Sequence, residues 1–103
     1  MKIKSFIQNL PKNLPLLLKR AADDYPEMVC QAAKNSEGKF VNYSYKDFYN
    51  TVIGLALAFK QLNVQKGENV ALISDNRREW LLADMGLLSL GAVDVPRGCD
   101  SMA

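Results

Sequence analysis

The sequence predicts an α/β fold: a helix, a β-hairpin, a second helix, then a parallel β-α-β unit, incomplete as it stands. Three observations carry this. Apolar residues recur at helical spacing in separate stretches of the chain. Two short runs of a different period flank the polar turn Asn35-Ser36-Glu37-Gly38. Near the C-terminal end, a continuous apolar run and a second short strand bracket a helix with brief connections on both sides.

The first helix is expected over Leu14–Tyr25. Leu14, Leu17, Leu18, Ala21 and Ala22 fall on one face, and Pro15 suits a first turn because its missing N–H has no helical partner to lose. Pro26 ends the helix by disfavouring the helical region for Tyr25. Met28–Ala33 and Lys39–Tyr45 then form the hairpin, with Gly38 free to take positive φ in its turn. In the second run Phe40, Asn42 and Ser44 point one way and Val41, Tyr43 and Tyr45 the other.

Ser44 and Asp47 are three apart at the start of the next helix, as in a capping box. Its stripe is Phe48, Val52, Leu55, Ala56, Phe59 and Leu62, and Gly54 within it is expected to mark close helix packing. After the polar connection 65–68, Val70-Ala71-Leu72-Ile73 suits a strand buried on both faces. Asn76 and Glu79 repeat the capping spacing. A helix is expected from Arg77 to about Leu90, with Trp80, Ala83, Leu87 and Leu88 on one stripe. Gly91 fits a left-handed C′ position, Ala92–Val95 resumes as a strand, and Pro96 closes it.

Composition limits the function classes. With 103 residues there is room for one domain. Thirteen basic and eleven acidic residues are interspersed, so no broad positive field addresses nucleic acid. The exception is the first twenty residues, where Lys2, Lys4, Lys12, Lys19 and Arg20 have no acidic neighbour. That pattern allows peripheral contact with an anionic membrane surface. The absence of histidine excludes imidazole-based triads and imidazole metal sites within the chain. Cys30 and Cys99 are far apart without a CxxC and are expected to be ordinary reduced thiols. No signal peptide or membrane span stands out, and a cytoplasmic location is expected.

Nucleotide-binding signatures of the GxGxxG and GxxxxGK[ST] types are absent, as is a GxSxG elbow. Asp23-Asp24 is adjacent in sequence, so the two carboxylates diverge on a helix and do not form a catalytic pair. Arg77-Arg78 lies where a helix start could meet an anion, although exposure beside Glu79 and Asp84 is the expected state. Trp80 is expected to be a packing anchor. The tail Arg97–Ala103 follows a strand end, a common position for ligand-facing loops, and is read as a connection.

The stretch Lys66-Gly67-Glu68-Asn69-Val70-Ala71-Leu72-Ile73-Ser74-Asp75-Asn76-Arg77-Arg78-Glu79-Trp80, followed by Leu90-Gly91-Ala92-Val93-Asp94-Val95-Pro96, resembles the N-terminal region of adenylate-forming AMP-binding enzymes. It is most similar to long-chain fatty-acid–CoA ligases (acyl-CoA synthetases), and Tyr43-Ser44-Tyr45-Lys46-Asp47-Phe48 resembles that family's entry to the preceding helix. The resemblance implies that residues 1–103 are an N-terminal fragment of an AMP-binding domain. It implies a parent enzyme that activates a fatty acid with ATP and Mg2+ to an acyl-adenylate and transfers the acyl group to coenzyme A. The family's phosphate loop, adenine motif, magnesium-contacting glutamate and catalytic lysine have no match in these residues. No catalytic, cofactor-binding or metal residue is therefore assigned, and the fragment alone is expected to be inactive. The competing class is a stand-alone small α/β interaction or binding module without catalysis.

Overall fold

The computed structural model describes residues 11–74 and 77–97. The elements follow the expected order: α1 (Leu14–Asp24), β1 (Val29–Lys34), β2 (Phe40–Ser44), α2 (Tyr45–Gln61), β3 (Asn69–Ile73), α3 (Arg78–Ser89) and β4 (Val93–Arg97). They form two separate two-stranded sheets: β1 pairs antiparallel with β2, and β3 pairs parallel with β4.

Local chemistry sets the boundaries. Asn13 caps α1, its side-chain oxygen accepting from the Leu16 N–H at 2.9 Å, and Tyr25 closes the helix before Pro26. In the hairpin turn, Asn35 Oδ1 accepts from the N–H groups of Glu37 and Lys39, and Gly38 takes φ +77°. The hairpin register slips between Val29 and Gln31. That bulge takes Cys30 out of the pairing, and its side chain packs against the main core. Ser44 caps α2 by accepting from the Asp47 N–H at 3.1 Å, as its spacing predicts. Gly67 (φ +84°) turns the chain into β3, and its N–H donates to the Gly91 carbonyl at 2.8 Å, joining the starts of β3 and β4.

The core lies between the helices. Leu18 of α1, Phe48 and Val52 of α2, and Leu82 and Met85 of α3 form one buried cluster, with Cys30, Tyr45, Tyr49, Leu55 and Leu88 packed against it. The expected stripe on α2 holds at Phe48, Val52 and Ala56, whereas Leu62 caps the helix and is exposed. On α1 only Leu18 and Ala22 of the expected face are buried.

Five expectations are corrected. α3 turns a different face inward: Leu82, Met85, Gly86 and Leu87 are buried, while Trp80, Ala83 and Leu88 are half-buried. The helix is apolar on most sides, so spacing alone does not select the face. Arg77 occupies the N-cap of α3 without a side-chain cap bond, and Asn76 lies outside the described residues. A Cβ at Gly54 would meet nothing within 4 Å, so the close packing is not there. It is at Gly86, where a Cβ would sit 3.3 Å from Leu55 Cβ and 3.3 Å from Phe59 Cε2. Pro96 lies inside β4, opposite Leu72, a position open to proline because β4 is an edge strand. Finally, β3 is not buried on both faces. Val70 and Leu72 are half-buried while Asn69, Ala71 and Ile73 are exposed, because a two-stranded sheet is covered only by what packs against it. Gly91, at φ +74° after the Leu90 cap of α3, is the C′ glycine its sequence position predicts.

Candidate functional site

The polar residues singled out from sequence fall into two groups. Those on α1 are engaged locally. Lys19 Nζ lies 2.9 Å from Asp23 Oδ2 and Arg20 Nε 3.6 Å from Asp24 Oδ2, both at i,i+4 spacing. The Lys19 amine is accordingly raised above its ordinary value, chiefly by its hydrogen bond to Asp23. Two of the five cations of the basic N-terminal stretch thus have acidic partners one turn further on. Lys2 and Lys4 lie outside the described residues.

The second group surrounds the start of α3. Arg77 Nε contacts Glu79 Oε2 at 3.3 Å, with both side chains largely exposed. The Arg78 guanidinium stacks on Tyr43 of β2, 3.5 Å from the ring centroid. Asp84 is buried within α3 and is not the surface neighbour of these arginines that the sequence suggests. Burial pushes the Cys30 thiol up, with the charge of Arg78 a smaller opposing influence, so it has the character of an inert structural cysteine. Cys99 lies outside the described residues, as does the tail beyond Arg97.

One pair was not anticipated. Asp84 of α3 is 9% exposed and is the only buried charged residue among those described. Its carboxyl is pushed up to about 7, mainly by burial, then by a hydrogen bond to Asp94 of β4 and the charge of that group. Near neutral pH the two carboxyls can share a proton between helix and strand. The available signal was the pair of carboxylates interrupting the apolar stretch 81–95, one on each of two neighbouring elements. Among the described residues no group of three or more His, Cys, Asp or Glu side chains could hold a metal ion. The Asp84–Asp94 pair offers two carboxyls, but burial and the neighbouring carboxyl push Asp84 toward its neutral form, which does not suit Mg2+. Of these arrangements, Arg78–Tyr43 ties α3 to β2 and Asp84–Asp94 ties α3 to β4, while the others are local.

A family model described as AMP-binding enzyme matches residues 18–101. The chain belongs to the AMP-binding enzyme family. A chloroplastic long-chain-fatty-acid–[acyl-carrier-protein] ligase of Arabidopsis thaliana is 29% identical over 90 residues, covering 87% of this chain and 12% of that protein. A crotonobetaine/carnitine–CoA ligase of Escherichia fergusonii is 33% identical over 75 residues, covering 73% of this chain and 14% of that protein. The solved structure of a Mycobacterium tuberculosis fatty acyl CoA synthetase superposes with a TM-score of 0.72 at 27% identity, covering 85% of this chain and 17% of that one. The fold is therefore that of the N-terminal part of adenylate-forming enzymes, and the chain spans about an eighth of the curated relatives it matches. Among the described residues, no helix is long and apolar enough to cross a membrane.

Proposed function

We propose that this chain is the N-terminal scaffold of a fatty-acid–CoA ligase, residues 1–103 being the opening segment of its AMP-binding domain. The parent enzyme converts a fatty acid and MgATP to an acyl-adenylate and pyrophosphate, and coenzyme A thiol then displaces AMP. The single observation supporting the scaffold role is the half-open β3–β4 sheet. Val93 (47% exposed) and Ile73 (45% exposed) belong to a parallel sheet, an architecture otherwise covered on both faces. Further strands and helices of a larger domain would cover them.

Long-chain acids are the proposed substrates, on the likeness to the Arabidopsis long-chain-fatty-acid–[acyl-carrier-protein] ligase. The crotonobetaine/carnitine ligase marks the alternative, a small polar acid, within the same family. Among the described residues no acidic, cysteine or histidine cluster could hold a metal ion, and no chemical step is assigned to a side chain here. Purified 103-residue protein should release no pyrophosphate from ATP and fatty acid above a boiled control. Release above that control would overturn the scaffold reading. Peripheral membrane contact through Lys2, Lys4 and Lys12 is a further part of the proposal. Anionic vesicles should retain the protein at low salt and lose it at high salt, and failure to retain it at low salt removes this part.

A further inference from the structure

Helix α1 has an apolar flank that stays largely uncovered among the described residues. Leu14, Leu17 and Ala21 lie beside the buried Leu18 and Ala22, yet Leu14 is 58% exposed, Leu17 is 37% exposed and Ala21 is half-buried. Steps of three and four residues make them one stripe along the helix. The core cluster uses only Leu18 of α1, so half of the expected inward face has no partner in it.

The residues before α1 carry a matching stripe. Ile3, Phe6, Ile7 and Leu10 recur at i, i+3, i+4 and i+7, with Lys2, Lys4, Ser5, Gln8 and Asn9 at the positions between. Pro11 closes that pattern, and residues 11–13 lead into α1 with Asn13 as its cap. Three residues suffice to join two antiparallel helices. At 1.5 Å per residue, ten helical residues span about 15 Å, close to the span of about 17 Å for α1. A single antiparallel register aligns both stripes: Leu10 beside Leu14, Ile7 beside Leu17, and Ile3 beside the small Ala21. A helix this short is marginal in water by itself, so its apolar side needs a surface to cover.

We propose that residues 1–10 fold back as a helix antiparallel to α1 and cover Leu14, Leu17 and Ala21. The segment then adds a further helix beside α1, and its apolar stripe completes the half-used face. Lys2 and Lys4 fall outside the contact stripe, so the proposal depends neither on the ligase reading nor on vesicle contact.

Hydrogen–deuterium exchange of the 103-residue chain, without lipid, tests this on peptides spanning 1–13 and 45–61. Amides of residues 3–10 should exchange about ten-fold or more slower than coil rates. Leu17→Glu and Ile7→Glu should each return them to coil rates, whereas Gln8→Glu, off the stripe, should leave them protected. Protection of α2 over 45–61 should persist in all three variants. If Leu17→Glu also loosens α2, Ile7→Glu decides, because Ile7 is no part of the core cluster. Coil-rate exchange in the native chain overturns the proposal, as does protection that survives Ile7→Glu. Protection that vanishes on dilution assigns the flank to a second copy, and protection that needs added anionic vesicles assigns the stripe to lipid. Either result also overturns the proposal.

Discussion

Asp84 gives the fold a pH dependence of unusual direction. A carboxylate paired with a cation in the fold loses its stabilising effect as pH falls. Asp84 is buried beside another carboxylate, so its protonated form is the one the fold prefers. Its carboxyl stands at about 7 in the folded chain, against an ordinary value of 3.8. Between those values the folded state holds a proton that the unfolded state has released, so stability falls as pH rises. This contribution is complete below about pH 4 and gone above about pH 7. Three pH units of difference correspond to about 4 kcal/mol at most, a large share of the ~5–15 kcal/mol typical of a whole domain. Asp84→Asn keeps a polar amide able to donate to Asp94 without ionising. Urea unfolding followed by far-ultraviolet circular dichroism, at pH steps from 4.5 to 8, should show the native midpoint falling and the variant's falling much less. Above pH 7 the variant should be the more stable of the two. If native protein and Asp84→Asn keep parallel midpoints across this range, the buried shared-proton account is wrong.

Other predictions concern packing and capping. Gly54→Ala should stabilise by about 0.5–1 kcal/mol, since the added methyl meets open space and the helix gains propensity. Gly86→Ala should destabilise by about 1–3 kcal/mol, because its Cβ would press on Leu55 and Phe59 at 3.3 Å. Thermal melts of the two variants should therefore shift in opposite directions. Phe48→Ala, at a side chain 1% exposed, should cost about 3–5 kcal/mol and leave the chain largely unfolded by circular dichroism. Ser44→Ala should cost about 1 kcal/mol in urea unfolding by removing the acceptor for the Asp47 N–H.

Much of the architecture was legible because short-range chemistry dictates it. Ser44 and the Asn35–Gly38 turn act on neighbours a few residues away, and the α2 stripe has enough polar contrast to fix its inward face. Gly91 was readable because a helix ending needs a residue tolerant of positive φ. The misreadings have a common origin in tertiary context. Helix α3 carries leucines around most of its circumference, so which of them meet Phe48 and Val52 depends on how α2 crosses it. Gly54 and Gly86 look alike as glycines in helices, and only the approach of α2 to α3 separates them. The continuous run in β3 announces a strand for two-sided burial, but two paired strands leave much of its surface open. Asp84 was hidden because a lone carboxylate in a helix is ordinarily solvated, and its partner comes from β4.

The catalytic reading rested on motif resemblance in 66–80 and 90–96, and the AMP-binding match over residues 18–101 places the chain in that family. The contacts that join elements among the described residues, Arg78 with Tyr43 and Asp84 with Asp94, bring together residues of different elements, so no local spacing in the sequence announces them.

The central proposal is that this chain serves a larger ligase as a scaffold. The most direct test replaces the aligned 90-residue stretch of the Arabidopsis ligase with this chain. Fatty-acid-dependent exchange of pyrophosphate into ATP is then measured in the chimera. The account predicts that a chimera with cooperative unfolding retains the exchange. A chimera that folds cooperatively and has lost the exchange would contradict it.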